Sequence, residues 1–263
     1  DMIKFGKFSD RTIPQIAAES ALLALDDAGL SIHDMEALYC GNLMQASGMV
    51  GQRVLQQIGQ TGIPVINVAN ACATGATALR EGWTAIKAGL YDLVLCVGVE
   101  QMAGAGLLGG GGGGKGIPTE GLLGSGTMPA VFSEAGMEHS RKYGTTFEQF
   151  AKVSVKNHWH STMNPKARYQ IETPLEEVMG AEMISYPNTK LMCSVNVDGS
   201  AAVVIASERK APQLGMRRAV KIAASILTSD RYTQRDLTMR DVNTCTREAA
   251  KKAYEMAGIG PND

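Results

Sequence analysis

Apolar residues recur at three- and four-residue spacing over 13–29 (IPQIAAESALLALDDAG), the pattern of a helix with one buried face, and Gly29 supplies a stop. The short apolar run 37–41 follows, then a second helical stretch near 51–58. Residues 63–68 are β-branched and come after a Thr-Gly turn signal, so they predict a strand. A helix over 74–88 ends near Gly89, and the apolar run 93–99 predicts another strand. Strand, helix and strand in alternation imply parallel pairing in an α/β sheet covered on both faces.

Beyond Val99 the pattern changes. Residues 103–126 carry much of the excess glycine, including an unbroken run over 109–114, and read as loop. A phosphate loop is not indicated, because Lys115 is followed by Gly116 rather than Ser or Thr. From 133 to about 163 the spacing is helical again, with Thr145 as a cap and Glu148 at the capping-box position. Residues 165–184 are irregular, with a Thr-Pro helix start near Leu175. Asp198-Gly199 predicts a turn into a buried strand ending at Ala206; 219–224 predicts a further strand and 241–258 a last helix.

Composition narrows the class. The 263 residues are 44% hydrophobic and 19% charged, with 25 basic against 26 acidic side chains, which excludes a disordered chain and argues against a nucleic-acid partner. No stretch approaches 18 consecutive apolar residues, so no membrane span is expected. The start DMIKFGKFSD does not read as a secretory signal. Five scattered cysteines without a C-x-x-C pair form neither a disulfide framework nor a zinc site, and point to a reducing compartment. Cys40, Cys96, Cys193 and Cys245 sit in apolar runs and read as small buried hydrophobes.

The two ends of the chain resemble each other. Residues 21–34 (ALLALDDAGLSIHD) and 250–263 (AKKAYEMAGIGPND) match without a gap at Ala21/Ala250, Ala24/Ala253, Ala28/Ala257, Gly29/Gly258 and Asp34/Asp263. Two amphipathic helices can match this well by chance. The sharper reading is a fold of two similar halves, of which the second has only just begun at residue 263.

Cys72 stands apart. The segment 67–78 (NVANACATGATA) joins a strand to a small-residue helix, which places Cys72 at a helix N-terminus. Aligned backbone dipoles and unpaired N–H groups there favour a thiolate, and the small neighbours Ala71, Ala73 and Gly75 admit a substrate. A nucleophilic cysteine needs those conditions, together with donors near the developing oxyanion. A structural cysteine buried at a helix start fits the same local pattern.

The motif N-x-C-A-T-G-x-T-A-L at residues 70–79 resembles the nucleophile motif of the thiolase superfamily, in particular its sterol carrier protein 2 (SCP2-thiolase) branch. Residues 61–67 (TGIPVIN) and Gly51-Gln-Arg53 precede it. Val97-Gly-Val-Glu100-Gln-Met102, Gly136-Met-Glu-His139, Lys142-Tyr-Gly-Thr145, Lys156-Asn-His158 and the stretch 193–207 follow in the order the family shows. The resemblance implies an α/β thiolase fold of layered αβαβα type, here mainly its N-terminal half plus loop domain. Residues 1–102 and 191–240 would form the N-terminal core, 103–190 an inserted loop domain, and 241–263 the start of the C-terminal half.

The same resemblance implies a 3-oxoacyl-CoA thiolase acting through an acyl group on Cys72, with coenzyme A as substrate and no permanently bound cofactor. His139 and Lys142, in the loop domain, would face the CoA phosphates. A homodimer or homotetramer is implied, in the cytoplasm or, in a eukaryote, the peroxisome. The Gly-His-Pro motif of the family's second half does not occur in these residues, and the tripeptide Cys96-Val-Gly98 lies within the apolar run 93–99 rather than in a second-half loop. Two other readings compete: a thiolase-like retro-aldolase, and a non-catalytic lipid- or CoA-binding module. Glu100 is expected to hold loop geometry rather than transfer protons. His33, His158 and His160 read as surface residues, and the spacing of the last two argues against a metal pair.

Overall fold

The computed structural model describes residues 1–103, 127–215, 219–229 and 244–263. In chain order the helices and strands are α1 (Ile13–Asp27), β1 (Ala37–Gly41), α2 (Val50–Ile58), β2 (Val65–Val68), α3 (Thr74–Lys87), β3 (Leu93–Gln101), α4 (Met128–Tyr143), α5 (Phe147–Thr162), α6 (Leu175–Gly180), β4 (Met183–Ser185), β5 (Asn188–Thr189), β6 (Asp198–Ala206) and α7 (Thr244–Ala257). They belong to two units, the first comprising Asp1–Ala103, Val197–Leu227 and Lys252–Asp263, the second Gly104–Asn196 and Thr228–Lys251. The glycine-rich stretch expected as a loop lies, from residue 104, outside the described residues, as do the first three residues of the helix expected over 241–258.

The first unit is built on a four-stranded sheet in the order β2-β1-β3-β6. β1 pairs in parallel with both β2 and β3, because helices carry the chain back over the sheet between them, while β6 runs antiparallel to β3. All of β1 and the first five residues of β3 are buried, and their side chains alternate between two apolar layers. Leu38, Cys40, Leu95 and Val97 meet α1 and α2 through Ile16, Ala21, Val50 and Val54. Ala37, Tyr39, Val94 and Cys96 meet α3 through Ala78, Ala85 and Ile86. Each fully buried Leu, Ile or Val contributes about 1.5–3 kcal/mol. Local signals support α1 as well: Pro14 lies in its first turn, the Thr12 N–H donates to Gln15 Oε1 at 2.8 Å, and Gly29 beyond its end is left-handed at φ 64°.

Two expectations in this unit are corrected. Asp198-Gly199 is not a turn but the start of β6, paired with Gln101 and Glu100. Asp198 is buried, and its carboxylate accepts the N–H of Phe8 at 2.8 Å and of Ala103 at 2.7 Å. Bridges at Met2/Ala201 and Gly6/Asp198 lay the N-terminal residues along the outer edge of β6. Gly199 leaves room for them, since a Cβ there would come within 2.4 Å of the Phe5 ring. Residues 219–224 form no strand: they join no ladder among the described residues, and Val220 is 90% exposed.

The second unit holds α4 to α6 and the small β4–β5 hairpin, which the sequence pattern does not predict. Serine and threonine hydroxyls join its parts. Ser133 Oγ donates to Ser185 O (2.6 Å), Ser154 Oγ to Leu191 O (2.6 Å), and Thr189 Oγ1 to Val178 O (2.8 Å). The cap of α5 is Thr146 with Gln149, one residue beyond the expected Thr145 and Glu148. Gly144, left-handed at φ 71°, ends α4 and uses up that residue of register, while Thr145 bonds to His139 and Glu148 pairs with Lys152. Among the described residues no helix is long and apolar enough to cross a membrane.

Candidate active site

The carboxyl ends of the parallel strands β1, β2 and β3 meet at one edge of the sheet, where open α/β folds place their ligands. β2 leads through Ala69 and Asn70 into a single 3₁₀ turn, Ala71–Ala73, and directly into α3. Cys72 is exposed in that turn, while Cys40 and Cys96 are buried in the sheet and Cys193 and Cys245 are half-buried. The description of four cysteines as buried hydrophobes therefore holds for two. Burial pushes the Cys40 and Cys96 thiols up to about 12, which leaves them inert at neutral pH.

Ala71 precedes Cys72 in a left-handed conformation, φ 44°, that alanine rarely adopts. Hydrogen bonds from the next turn hold it. Thr74 Oγ1 donates to Ala71 O at 2.7 Å and accepts the Asn70 N–H at 2.8 Å. Thr77 Oγ1 donates to Ala73 O at 2.9 Å and accepts from Asn70 Nδ2 at 3.0 Å. The first turn of α3 lies on glycines of the sheet. A Cβ on Gly41 would stand 2.9 Å from Thr74 O, and one on Gly98 3.1 Å from Gly75 Cα.

Side chains at the same strand ends fix the neighbouring loops. Glu100 Oε2 accepts the N–H groups of Leu43 (2.9 Å) and Met44 (3.2 Å), and its Oε1 accepts from Asn42 Nδ2 (3.0 Å). Its carboxylate is thus occupied in holding the loop after β1. Asn67 Oδ1 accepts the Gly51 N–H at 2.7 Å and supports the start of α2.

The other two expected site residues belong to the second unit. His139 and Lys142 lie on α4, both exposed. His139 Nδ1 pairs with Thr145 Oγ1 at 2.8 Å, and the ring lies 4.7 Å from that of Tyr143, which Lys142 Nζ overlies at 5.6 Å. An open cleft of about 400 Å³ is lined by His139, Tyr143, Thr246, Arg247 and Ala250. His158 is engaged by Thr173 and stacks on Tyr169. Among the described residues no group of three His, Cys, Asp or Glu side chains is placed to hold a metal ion.

Sequence reasoning finds Cys72 but not Asn70, Thr74 and Thr77 around it, nor the role of Gly41. The available signal is a hydroxyl residue two and five positions after the cysteine, which on a helix aims both back at the turn.

The family model for the N-terminal domain of thiolase matches residues 1–182. Human sterol carrier protein 2 is 35% identical over 99% of this chain and 50% of its own length. An acetyl-CoA acetyltransferase of Methanothermobacter thermautotrophicus is 32% identical over 99% of the chain and 69% of its own. In three dimensions the chain is similar to the Ltp2-ChsH2(DUF35) aldolase (TM-score 0.78, 21% identity, 100% of this chain and 69% of that one). It is also similar to human mitochondrial 3-ketoacyl-CoA thiolase in complex with CoA (TM-score 0.57, 18% identity, 82% and 65%). The chain spans about half the length of the sterol carrier protein 2 relatives it matches. With a thiolase fold, a thiolase domain match over most of its length and these relatives, the chain belongs to the thiolase superfamily, in its SCP2-thiolase branch.

Proposed function

We propose that this chain carries the nucleophile of a 3-oxoacyl-CoA thiolase and that Cys72 is that nucleophile. The observation that carries the reading is the exposure of Cys72 on a strained turn at the N-terminus of α3, over a glycine floor at the strand ends. The Cys72 thiolate attacks the 3-keto carbon, the C2–C3 bond breaks, and the electron pair stays on C2. Protonation there releases acetyl-CoA. The thiol of a second CoA then attacks the acyl-cysteine and frees Cys72, giving ping-pong kinetics.

The acid and base for these proton transfers come, in this reading, from a C-terminal thiolase half outside these 263 residues, which span about half the length of sterol carrier protein 2. Residues 103–190 act as the loop domain, and His139 and Lys142 face the CoA phosphates. The whole protein works as a homo-oligomer.

The structural similarity to an aldolase complex favours retro-aldol cleavage as the second reading. Steady-state cleavage of a 3-oxoacyl-CoA and of a 3-hydroxyacyl-CoA by the whole protein separates them. A thiolase gives parallel double-reciprocal lines against CoA and loses activity in Cys72→Ala. Cleavage of the 3-hydroxyacyl-CoA between C2 and C3 to a free aldehyde or ketone and a shortened acyl-CoA, needing neither free CoA nor Cys72, would establish the aldolase instead.

A further inference from the structure

We propose that Thr74 and Thr77 are positioning residues for Cys72, holding the turn in the one backbone conformation that aims the thiol at a bound thioester. This rests on the acyl-cysteine reading above. Cys72 lies between the Ala71 and Ala73 peptides, and each of those two carbonyls accepts a threonine hydroxyl, at 2.7 Å from Thr74 and 2.9 Å from Thr77. Asn70 closes the bracket from the other side, its backbone N–H on Thr74 Oγ1 and its side-chain amide on Thr77 Oγ1.

Each hydroxyl has a single proton, and both protons are committed to backbone carbonyls. Neither threonine therefore has one to give a substrate, and they act through the turn. What they hold needs holding. A left-handed alanine persists only where its surroundings over-determine it, and the Ala71 carbonyl is fixed by Thr74 on the far side of the peptide that leads into Cys72. Thr74 is itself buried, 7% exposed, with its methyl against Gly41. The network thus runs from the sheet floor through Thr74 to the residue before the thiol.

Acyl transfer demands alignment of thiolate, carbonyl and oxyanion donors, whereas alkylation by a small reagent demands only access. The test uses both reactions on the whole protein. Acylation of Cys72 by acyl-CoA and its alkylation by iodoacetamide are followed by mass spectrometry in wild type, Thr74→Val, Thr74→Ser, Thr77→Val and Thr77→Ser. The expected result is acylation slowed about tenfold or more in the valine variants, little changed alkylation of Cys72, no labelling of Cys40 or Cys96, and recovery in the serine variants. Unchanged acylation in both valine variants overturns the proposal and leaves the acyl-enzyme standing. So does a parallel slowing of both reactions with Cys40 and Cys96 still unlabelled, since a folded variant that loses access and acylation alike has not lost alignment alone. If Thr74→Val does not fold, Thr77→Val decides. Absence of any adduct in wild type overturns the acyl-enzyme reading and the positioning role together.

Discussion

Gly41 and Gly98 lie side by side on the adjacent parallel strands β1 and β3, and together they form the floor on which the first turn of α3 rests. No side chain separates the sheet from Thr74 and Gly75, so the height of the helix start above the strand ends, and with it that of Cys72, follows from this pair.

A methyl group at either position tests that relationship. Gly41→Ala places a Cβ 2.9 Å from Thr74 O, and Gly98→Ala one 3.1 Å from Gly75 Cα. Both obstacles are backbone, so the helix start must shift. Each variant is expected to lose about 1–3 kcal/mol of stability in chemical denaturation, with Gly41→Ala the worse. Cys72 acylation should slow more than the stability loss alone requires.

Glu100 illustrates the difference between a structural and a chemical carboxylate. Its two oxygens accept from Asn42, Leu43 and Met44. Glu100→Gln turns an NH₂ donor towards those donors or leaves them unpaired, at a cost of about 1–3 kcal/mol. Hydrogen exchange at Leu43 and Met44 is expected to accelerate. If Glu100 only holds the loop after β1, the pH dependence of acylation should keep its shape.

The buried thiols set an alkaline limit. Cys40 and Cys96 are raised by burial from an ordinary value of 9.0 to about 12, so the folded chain holds their protons where the unfolded chain releases them. Their contribution to stability is complete below pH 9 and is lost as pH rises through 12. Denaturation midpoints should fall across that window. Cys40→Ala and Cys96→Ala should each flatten part of the slope, whatever they cost at neutral pH. At neutral pH neither thiol should be alkylated in the folded protein.

Local chemistry explains how far the sequence could be read. The helix over 13–27, the apolar runs of β1 and β3, and the cysteine at a strand–helix junction all depend on nearest neighbours in the chain, and they stand as expected. Asp198-Gly199 carries the local signal of a turn. Tertiary demands override it, since a buried carboxylate is needed by Phe8 and Ala103 and an absent Cβ by Phe5. Residues 219–224 have the composition of a strand, but apolar content cannot show whether a pairing edge exists, and none is present among the described residues. The Gly41–Gly98 floor is illegible for another reason. It exists only through strand register, which brings together residues 57 positions apart. Thr74 and Thr77 read as ordinary first-turn residues of a helix until the carbonyls they bond prove to be those on either side of Cys72.

The most direct measurement is the intact mass of the whole protein after brief incubation with an acyl-CoA, in wild type and in Cys72→Ala. An added acyl group in wild type, mapped to Cys72 and absent from the variant, is the predicted result. A folded wild-type protein that turns over its thioester without ever carrying an acyl group on Cys72 would contradict the account.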